Sequence, residues 1–319
     1  MMEDENSQQA GKKETSWERE ALERLAREAL TEQRRARRWG IFFKALFLLY
    51  LFALLAIYLP QEWRQATPML EKHTSLVDVD GVITAHGEAS ADNIVKGLRR
   101  AFEDDNTAGI VLRLNSPGGS PVQSGQVHDE IRRLRKEHPD IPLYAAITDV
   151  CASGCYYIAA AADRIFADKA SIVGSIGVRM DGFGFVEAID KLGIERRLLT
   201  AGPYKGLLDP FLPEDPVVKS HLKGMLEAIH RQFIDAVKQG RGERLADDPE
   251  LFTGLVWTGE QALELGLVDE LASPGRVARE VIKAEKVVDY TRRRNYLDRF
   301  SRRFGSALIE ALRSGPVLR

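Results

Sequence analysis

Apolar and polar positions along this chain fall into three regimes. Residues 1–40 are polar and charged, with Thr15 and Glu18 spaced as a capping box that predicts the start of an amphipathic helix carrying Leu22, Leu25, Ala26, Ala29 and Leu30 on one side. Residues 41–60 are apolar almost without interruption. Ile41-Phe42-Phe43 and then Ala45 through Leu59 approach the roughly 20 residues that cross a bilayer, with Lys44 near one end where its amine can snorkel. After a polar linker at 61–73, short apolar runs alternate with helical patterns. Strands are predicted at Leu76–Val79, Ile110–Leu114, Ile141–Ile147 and Ile165–Phe166, and helices at Ala91–Phe102, Val122–Lys136, Ser153–Ala162 and Pro216–Gly240. This alternation predicts an α/β fold with a largely parallel sheet and active-site loops at the C-terminal ends of the strands.

Charge orients the apolar span. Arg34, Arg35, Arg37 and Arg38 precede it, whereas Glu62, Arg64, Glu71 and Lys72 follow it as a mixture, so the positive-inside rule keeps the N-terminus in the cytoplasm and sends the rest across. The span begins too late for a cleaved signal peptide, and Tyr58-Leu59-Pro60-Gln61-Glu62 makes a poor cleavage site. A formal net charge of −2 on 319 residues gives no reason to expect a nucleic-acid partner. The C-terminal stretch 292–319 is rich in arginine, with Leu297, Phe300, Phe304, Leu308 and Leu312 at helical spacing; packing or a basic tail is favoured there over membrane binding.

Candidate chemistry gathers at two predicted strand ends. The run Ile110–Leu114 stops at Asn115-Ser116-Pro117-Gly118-Gly119-Ser120, and Ile141–Ile147 leads to Cys151-Ala152-Ser153-Gly154-Cys155. Paired glycines let backbone amides approach a ligand, as an oxyanion hole requires, and a serine on a strand-to-helix turn presents its hydroxyl beside amide donors. Each feature alone has a plain alternative: a tight turn for the first, a helix N-cap for the second. Their occurrence at successive strand ends weakens both alternatives. A serine nucleophile needs a base, and the six histidines form no ligand pair or convincing triad, whereas Lys205 lies in Ala201-Gly202-Pro203-Tyr204-Lys205 with Leu207, Leu208, Pro210 and Phe211 downstream. At pH 7 only about one free lysine in 2,500 is neutral, a handicap near ~4.6 kcal/mol, so a lysine base requires a water-poor setting.

Asn115-Ser116-Pro117-Gly118-Gly119, Ala152-Ser153-Gly154 with Tyr156-Tyr157-Ile158-Ala159, Ala162-Asp163-Arg164-Ile165, Val173-Gly174-Ser175-Ile176-Gly177-Val178 and Tyr204-Lys205 together resemble the bacterial membrane-bound signal peptide peptidase family, SppA, in its half-length form. The resemblance covers roughly residues 74 to 285. It implies a Clp protease/crotonase-like α/β domain, preceded here by one transmembrane helix, in which a Ser-Lys dyad hydrolyses peptide bonds. Carried over residue by residue, Ser153 is the nucleophile, Lys205 the general base and Ser175 the hydroxyl that orients the lysine, while Gly119 and Gly154 form the oxyanion hole. No cofactor or metal is implied.

The expected layout is a cytoplasmic segment 1–40, a transmembrane helix 41–60, a linker 61–73, a peptidase domain 74–285 outside the cytoplasmic membrane, and a basic tail 286–319. Expected substrates are hydrophobic remnant signal peptides. The motifs occur once per chain, and full-length members carry two copies, so the resemblance implies a homo-octameric ring in which Lys205 of one subunit serves Ser153 of the next. A crotonase-like acyl-CoA enzyme and a non-catalytic membrane scaffold are the alternatives.

The two cysteines depart from the family pattern, which carries alanine and glycine there. Cys151 and Cys155 bracket Ser153, and three readings compete: small buried packing residues, a disulfide across the turn, or a thiol nucleophile. Packing is favoured because free cysteine behaves as a small hydrophobe. Two cysteines alone do not complete a tetrahedral metal site.

Overall fold

The computed structural model describes residues 3–58 and 71–293; within the first helix, side chains are described at 24, 27–28 and 30–54. The chain divides into two units, Met1–Pro68 and Met69–Arg319. In the first, helix α1 runs without a break over Glu3–Tyr58, so Thr15 lies inside the helix instead of capping its start. Trp39, Phe42, Phe43, Phe47, Leu49, Tyr50 and Phe52 of α1 are all more than half exposed. Among the described residues no helix is long and apolar enough to cross a membrane. The described side chains stop at Leu54, and residues 59 and 60 of the expected span lie outside the described residues, as do most of the linker and positions 294–319 of the tail.

The second unit is built on an eight-stranded sheet. Its central strands are β1 (His73–Asp80), β2 (Thr107–Ser116) and β3 (Leu143–Ala152), with helices α2 (Ala91–Glu103) and α3 (Pro121–Glu137) as the crossovers. All three strands pair in parallel, Val77 opposite Leu112 and Leu112 opposite Ala145. Parallel strands buried on both faces explain the near-continuous apolar runs. One face, including Val77, Val79, Leu112, Leu114 and Ile147, packs against Ile94 and Leu98 of α2 and Val127 and Ile131 of α3. The other face buries Val111 and Ala146 with Phe166, Ala272 and Val277.

Beyond Ile147 the sheet forks. The first half of β3 pairs with β4 (Arg164–Ala167), which pairs in turn with β7 (Glu270–Leu271). Its last residues, Val150 to Ala152, pair instead with β5 (Ile172–Gly174), and β5 is joined antiparallel by β6 (Val256–Thr258). The rest of the sheet is parallel, as the alternation of elements predicts. At the far edge, β8 (Val287–Asp289) pairs with β1, and the Thr291 hydroxyl accepts from the Asp78 amide, so the domain continues past residue 285 into what the sequence assigns to the tail.

Helix α4 (Gly154–Ala159) follows β3 and is shorter than predicted. Helix α6 (Pro216–Arg241) starts with Pro216 at its first position and the Asp215 carboxylate accepting from the Val217 and Val218 amides, the preferred chemistry of a helix start. Its far end is tied down by Arg241, which is 1% exposed and donates to the Gly266 carbonyl and to both oxygens of Asp269 at 2.6 and 2.9 Å. Burial pushes the Asp269 carboxyl up, but hydrogen bonds from Arg241 and the Ile165 amide, with the charges of Arg241 and Arg244, outweigh it and hold the group below its ordinary value.

Between β5 and α6 the chain forms an arm that includes the short helix α5 (Val186–Lys191), none of whose residues is buried. Phe183 and Leu199 are 83% and 98% exposed, and Leu192, Ile194 and Leu208 are exposed as well. The arm is braced chiefly on itself, through the Phe185 amide to the Pro210 carbonyl and an Arg196–Asp209 ion pair at 2.8 Å.

Candidate active site

Two loops meet where β2 and β3 end. Ser116, fully buried, accepts from the Gly118 amide and turns the chain back over the sheet. Gly118 and Gly119 then adopt φ of 96° and 154°, and the Gly119 turn is clamped by Ile83, whose amide donates to the Gly118 carbonyl and whose carbonyl accepts from Ser120, both at 2.9 Å. A Cβ at Gly119 would lie 2.1 Å from the Ile83 carbonyl oxygen, so only glycine fits that approach. Ser120 closes the loop as the N-cap of α3, accepting from the Gln123 amide.

Ser153 stands between β3 and α4 with φ 53° and ψ −124°, a left-handed conformation that costs a non-glycine residue about 1–3 kcal/mol. It is held there by its amide donating to the Gly174 carbonyl at 2.8 Å and its carbonyl accepting from Tyr157 at 3.1 Å. Its side chain makes no capping hydrogen bond, so the N-cap alternative does not account for the hydroxyl.

The glycine loop stacks directly on this turn. The Cβ position of Gly118 lies 2.8 Å from the Gly154 nitrogen and 2.9 Å from the Ser153 Cβ, and the Cβ position of Gly154 lies 3.3 Å from the Gly119 nitrogen. Among the described residues neither the Gly119 nor the Gly154 amide has a protein acceptor. Ser153, Gly154, Gly118, Gly119 and Ser175 all line one cavity of about 760 Å³. Ser175 is itself at positive φ, 54°, its amide donating to the Leu255 carbonyl. A hydroxyl and two free amides facing the same space can attack a carbonyl and bind the negative oxygen that results.

Sequence reasoning missed the opposite wall. Ile229 and Phe233 of α6, Tyr157, Val178 and Val82 supply apolar surface, and Arg179 and Asp181 stand at the rim. Tyr157 packs between Phe233, tilted at a ring-centroid distance of 5.0 Å, and the buried His128, edge to face at 5.2 Å. Helical periodicity marks Phe233 as core, and only the fold shows that this core opens on the serine.

Lys205 is not part of this cavity. It is exposed on the arm, its amide donating to the Gly202 carbonyl in a local turn. The structure therefore brings together Ser153, Gly119, Gly154 and Ser175 within one chain and leaves Lys205 apart from them.

Cys151 and Cys155 form a disulfide with a Cα–Cα distance of 5.1 Å, and both are fully buried. This replaces the packing reading: residues four apart across a strand-to-helix turn fall within bridging distance because the turn reverses between them. A sulfur held in a disulfide is no nucleophile. Among the described residues no group of three or more histidine, cysteine or acidic side chains could hold a metal.

The comparisons with known proteins bear on what such a site does. Residues 135–288 match the model of peptidase family S49, a stretch that contains both Ser153 and Lys205. A protease of Synechocystis, slr0021, is 32% identical over 205 residues, covering 63% of this chain and 70% of that protein. The chain belongs to peptidase family S49. It is also 30% identical over 223 residues to a protein of Enterococcus faecium named as signal peptide peptidase SppA, covering 67% of this chain and 64% of the other. Identity is higher, 48% over 174 residues, to a Brucella melitensis protein named Na(+)/H(+) antiporter NhaA, but that alignment takes in 54% of this chain and only 24% of the antiporter. The chain thus spans about a quarter of the length of the antiporter and somewhat under two thirds of the SppA-named relative. Among solved structures, the 1510-N membrane-bound stomatin-specific protease is similar at 15% identity and a TM-score of 0.35, over 64% of this chain and 81% of that one.

Proposed function

We propose that the chain is a membrane-anchored serine endopeptidase that degrades hydrophobic peptides such as remnant signal peptides. The observation that carries this reading is the Ser153 hydroxyl, uncommitted to any cap, in one cavity with two amides that lack acceptors. In the proposed reaction Ser153 Oγ attacks the scissile carbonyl and the Gly119 and Gly154 amides bind the oxyanion. The amine of Lys205 takes the serine proton and returns it to the leaving nitrogen, and water then releases the acyl group. Apolar walls from Val82, Val178, Ile229 and Phe233 favour apolar or small side chains beside the scissile bond.

Lys205 is proposed to come from a neighbouring subunit of a homo-octameric ring, and Ser175 to orient its amine. Support comes from the arm: large apolar side chains are exposed along 183–208, the stretch that carries the lysine, and need a partner surface. Head-to-tail contacts of this kind close into rings when the rotation permits. Membrane anchoring through 41–60 is supported by the apolar side chains exposed on all sides of α1 from Trp39 to Phe52, the composition of a helix surrounded by lipid. The arginines ahead of it favour a cytoplasmic N-terminus. A disulfide beside the serine fits a domain on the oxidising, extracytoplasmic side.

The test is peptidase activity of the full chain in lipid or detergent on apolar peptides. Ser153→Ala is expected to bring the rate to background with the circular dichroism spectrum unchanged; a variant that keeps the wild-type rate refutes the serine. Protease added outside spheroplasts is expected to digest the domain after residue 60 while an N-terminal tag survives; the reverse pattern refutes the topology.

A further inference from the structure

We propose that the Cys151–Cys155 disulfide is a positioning brace for the nucleophile, and that it makes turnover depend on the oxidation state of this one bond. The inference rests on the peptidase reading of Ser153. Cys151 is fixed in the middle of the sheet, opposite Ser116 of β2 on one side and Val173 of β5 on the other. Cys155 lies in the first turn of α4. The bond therefore ties the sheet to the helix on either side of Ser153 and closes a short loop that contains both Ser153 and the Gly154 amide.

What needs bracing is visible in the same turn. Ser153 holds φ 53°, which a serine leaves readily when its neighbours permit, and only two backbone hydrogen bonds and the packed Gly118 oppose its relaxation. Relaxation of that φ would swing the hydroxyl and the Gly154 amide together, away from the Gly119 amide on the facing loop. A cross-link from residue 151 to residue 155 restricts that motion. The domain gains less from it than from a bridge that closes a long loop, because a short loop removes less freedom from the unfolded chain.

The redox chemistry is self-contained. A dithiol such as dithiothreitol attacks as its thiolate and the Cys151–Cys155 bond breaks. Two electrons and two protons pass to the cysteines, and the reagent departs as its cyclic disulfide. The chain has two cysteines in all, so any effect of a thiol reductant on turnover is assigned to this pair.

The experiment measures kcat, KM and the rate of fluorophosphonate inactivation for the full chain, oxidised and then reduced, with reduction verified by mass as two alkylated thiols. A Cys151→Ala/Cys155→Ala double variant is taken through the same measurements, so a bond too buried to reduce still leaves the proposal testable. Expected is a fall in kcat and in inactivation rate of about 10- to 100-fold, KM within about two-fold, recovery on reoxidation, and no response of the double variant to dithiothreitol. Reduced protein and double variant that both keep kcat within about two-fold of the oxidised enzyme overturn the brace. So does a loss of activity that merely follows loss of the folded domain by circular dichroism. An oxidised chain with no activity at all refutes the peptidase reading instead.

Discussion

Adding one methyl group at Gly154 tests how tightly the Gly118–Gly119 loop is packed on the Ser153 turn. The Cβ of Gly154→Ala would lie 2.4 Å from Ser124 Oγ and 3.3 Å from the Gly119 nitrogen, with Ser124 Cβ at 3.4 Å. Ser124 cannot simply yield, since it is fully buried and its hydroxyl donates to the Ser120 carbonyl one turn back in α3. Overpacking of this kind costs about 1–3 kcal/mol. Ser124→Ala removes the clashing oxygen and gives up one hydrogen bond, about 0.5–1.5 kcal/mol. The double variant then retains the hydrogen-bond loss but not the clash, so the two changes are expected to couple by at least ~1 kcal/mol in its favour. Urea unfolding of the four proteins measures this directly. Activity adds a second reading: Gly154→Ala crowds the two amides proposed to bind the oxyanion and should lower kcat by as much as ~10²-fold, with partial recovery in the double variant. Stabilities that add to within about 0.5 kcal/mol would show that the two side chains do not meet, and the packing drawn around the oxyanion amides would be wrong.

Other outcomes follow from the same structure. Asp269→Asn removes the counter-charge of the buried Arg241 and is expected to destabilise the domain by about 3–5 kcal/mol in urea unfolding, loosening the α6 wall of the cavity. Because Asp269 titrates below its ordinary value in the folded state, its contribution is complete above the unfolded value near ~3.9 and is lost as pH falls through the folded one. His128 adds to acid lability from higher pH: burial lowers its value, outweighing Asp129, so the neutral ring is favoured in the fold and stability declines as pH drops below about 6.5. A thermal-melt series over pH 3 to 8 checks both, and a midpoint that does not fall on the acid side contradicts them. Equal mixtures of Ser153→Ala and Lys205→Ala subunits, co-expressed, are expected to regain about a quarter of the sites; no recovery in verified mixed oligomers places both residues in one chain.

The central sheet was legible in the sequence because parallel strands buried on both faces leave near-continuous apolar runs, and β1 and β2 contain, and β3 overlaps, the run that marks each. The two loops were legible for a different reason. Gly118 and Gly119 take up backbone conformations that other residues avoid, and the serine sits where a strand gives way to small residues. Edge strands such as β6, β7 and β8 are two or three residues long and carry no periodicity of their own. The disulfide was not legible because bridging distance depends on how the turn folds, and a buried cysteine pair leaves the same sequence trace as small packing residues. The wall formed by Ile229 and Phe233 was hidden for the same reason as most tertiary contacts: helical spacing tells that a face is covered, not by what.

The central claim is that the Ser153 hydroxyl is the nucleophile. Reaction of the full chain with a fluorophosphonate, followed by digestion and mass spectrometry, tests it without knowledge of the natural substrate. Expected is a single adduct on Ser153, formed in step with loss of peptidase activity and absent from Ser153→Ala. An adduct on another residue, or inactivation of a chain whose Ser153 stays unmodified, would contradict it.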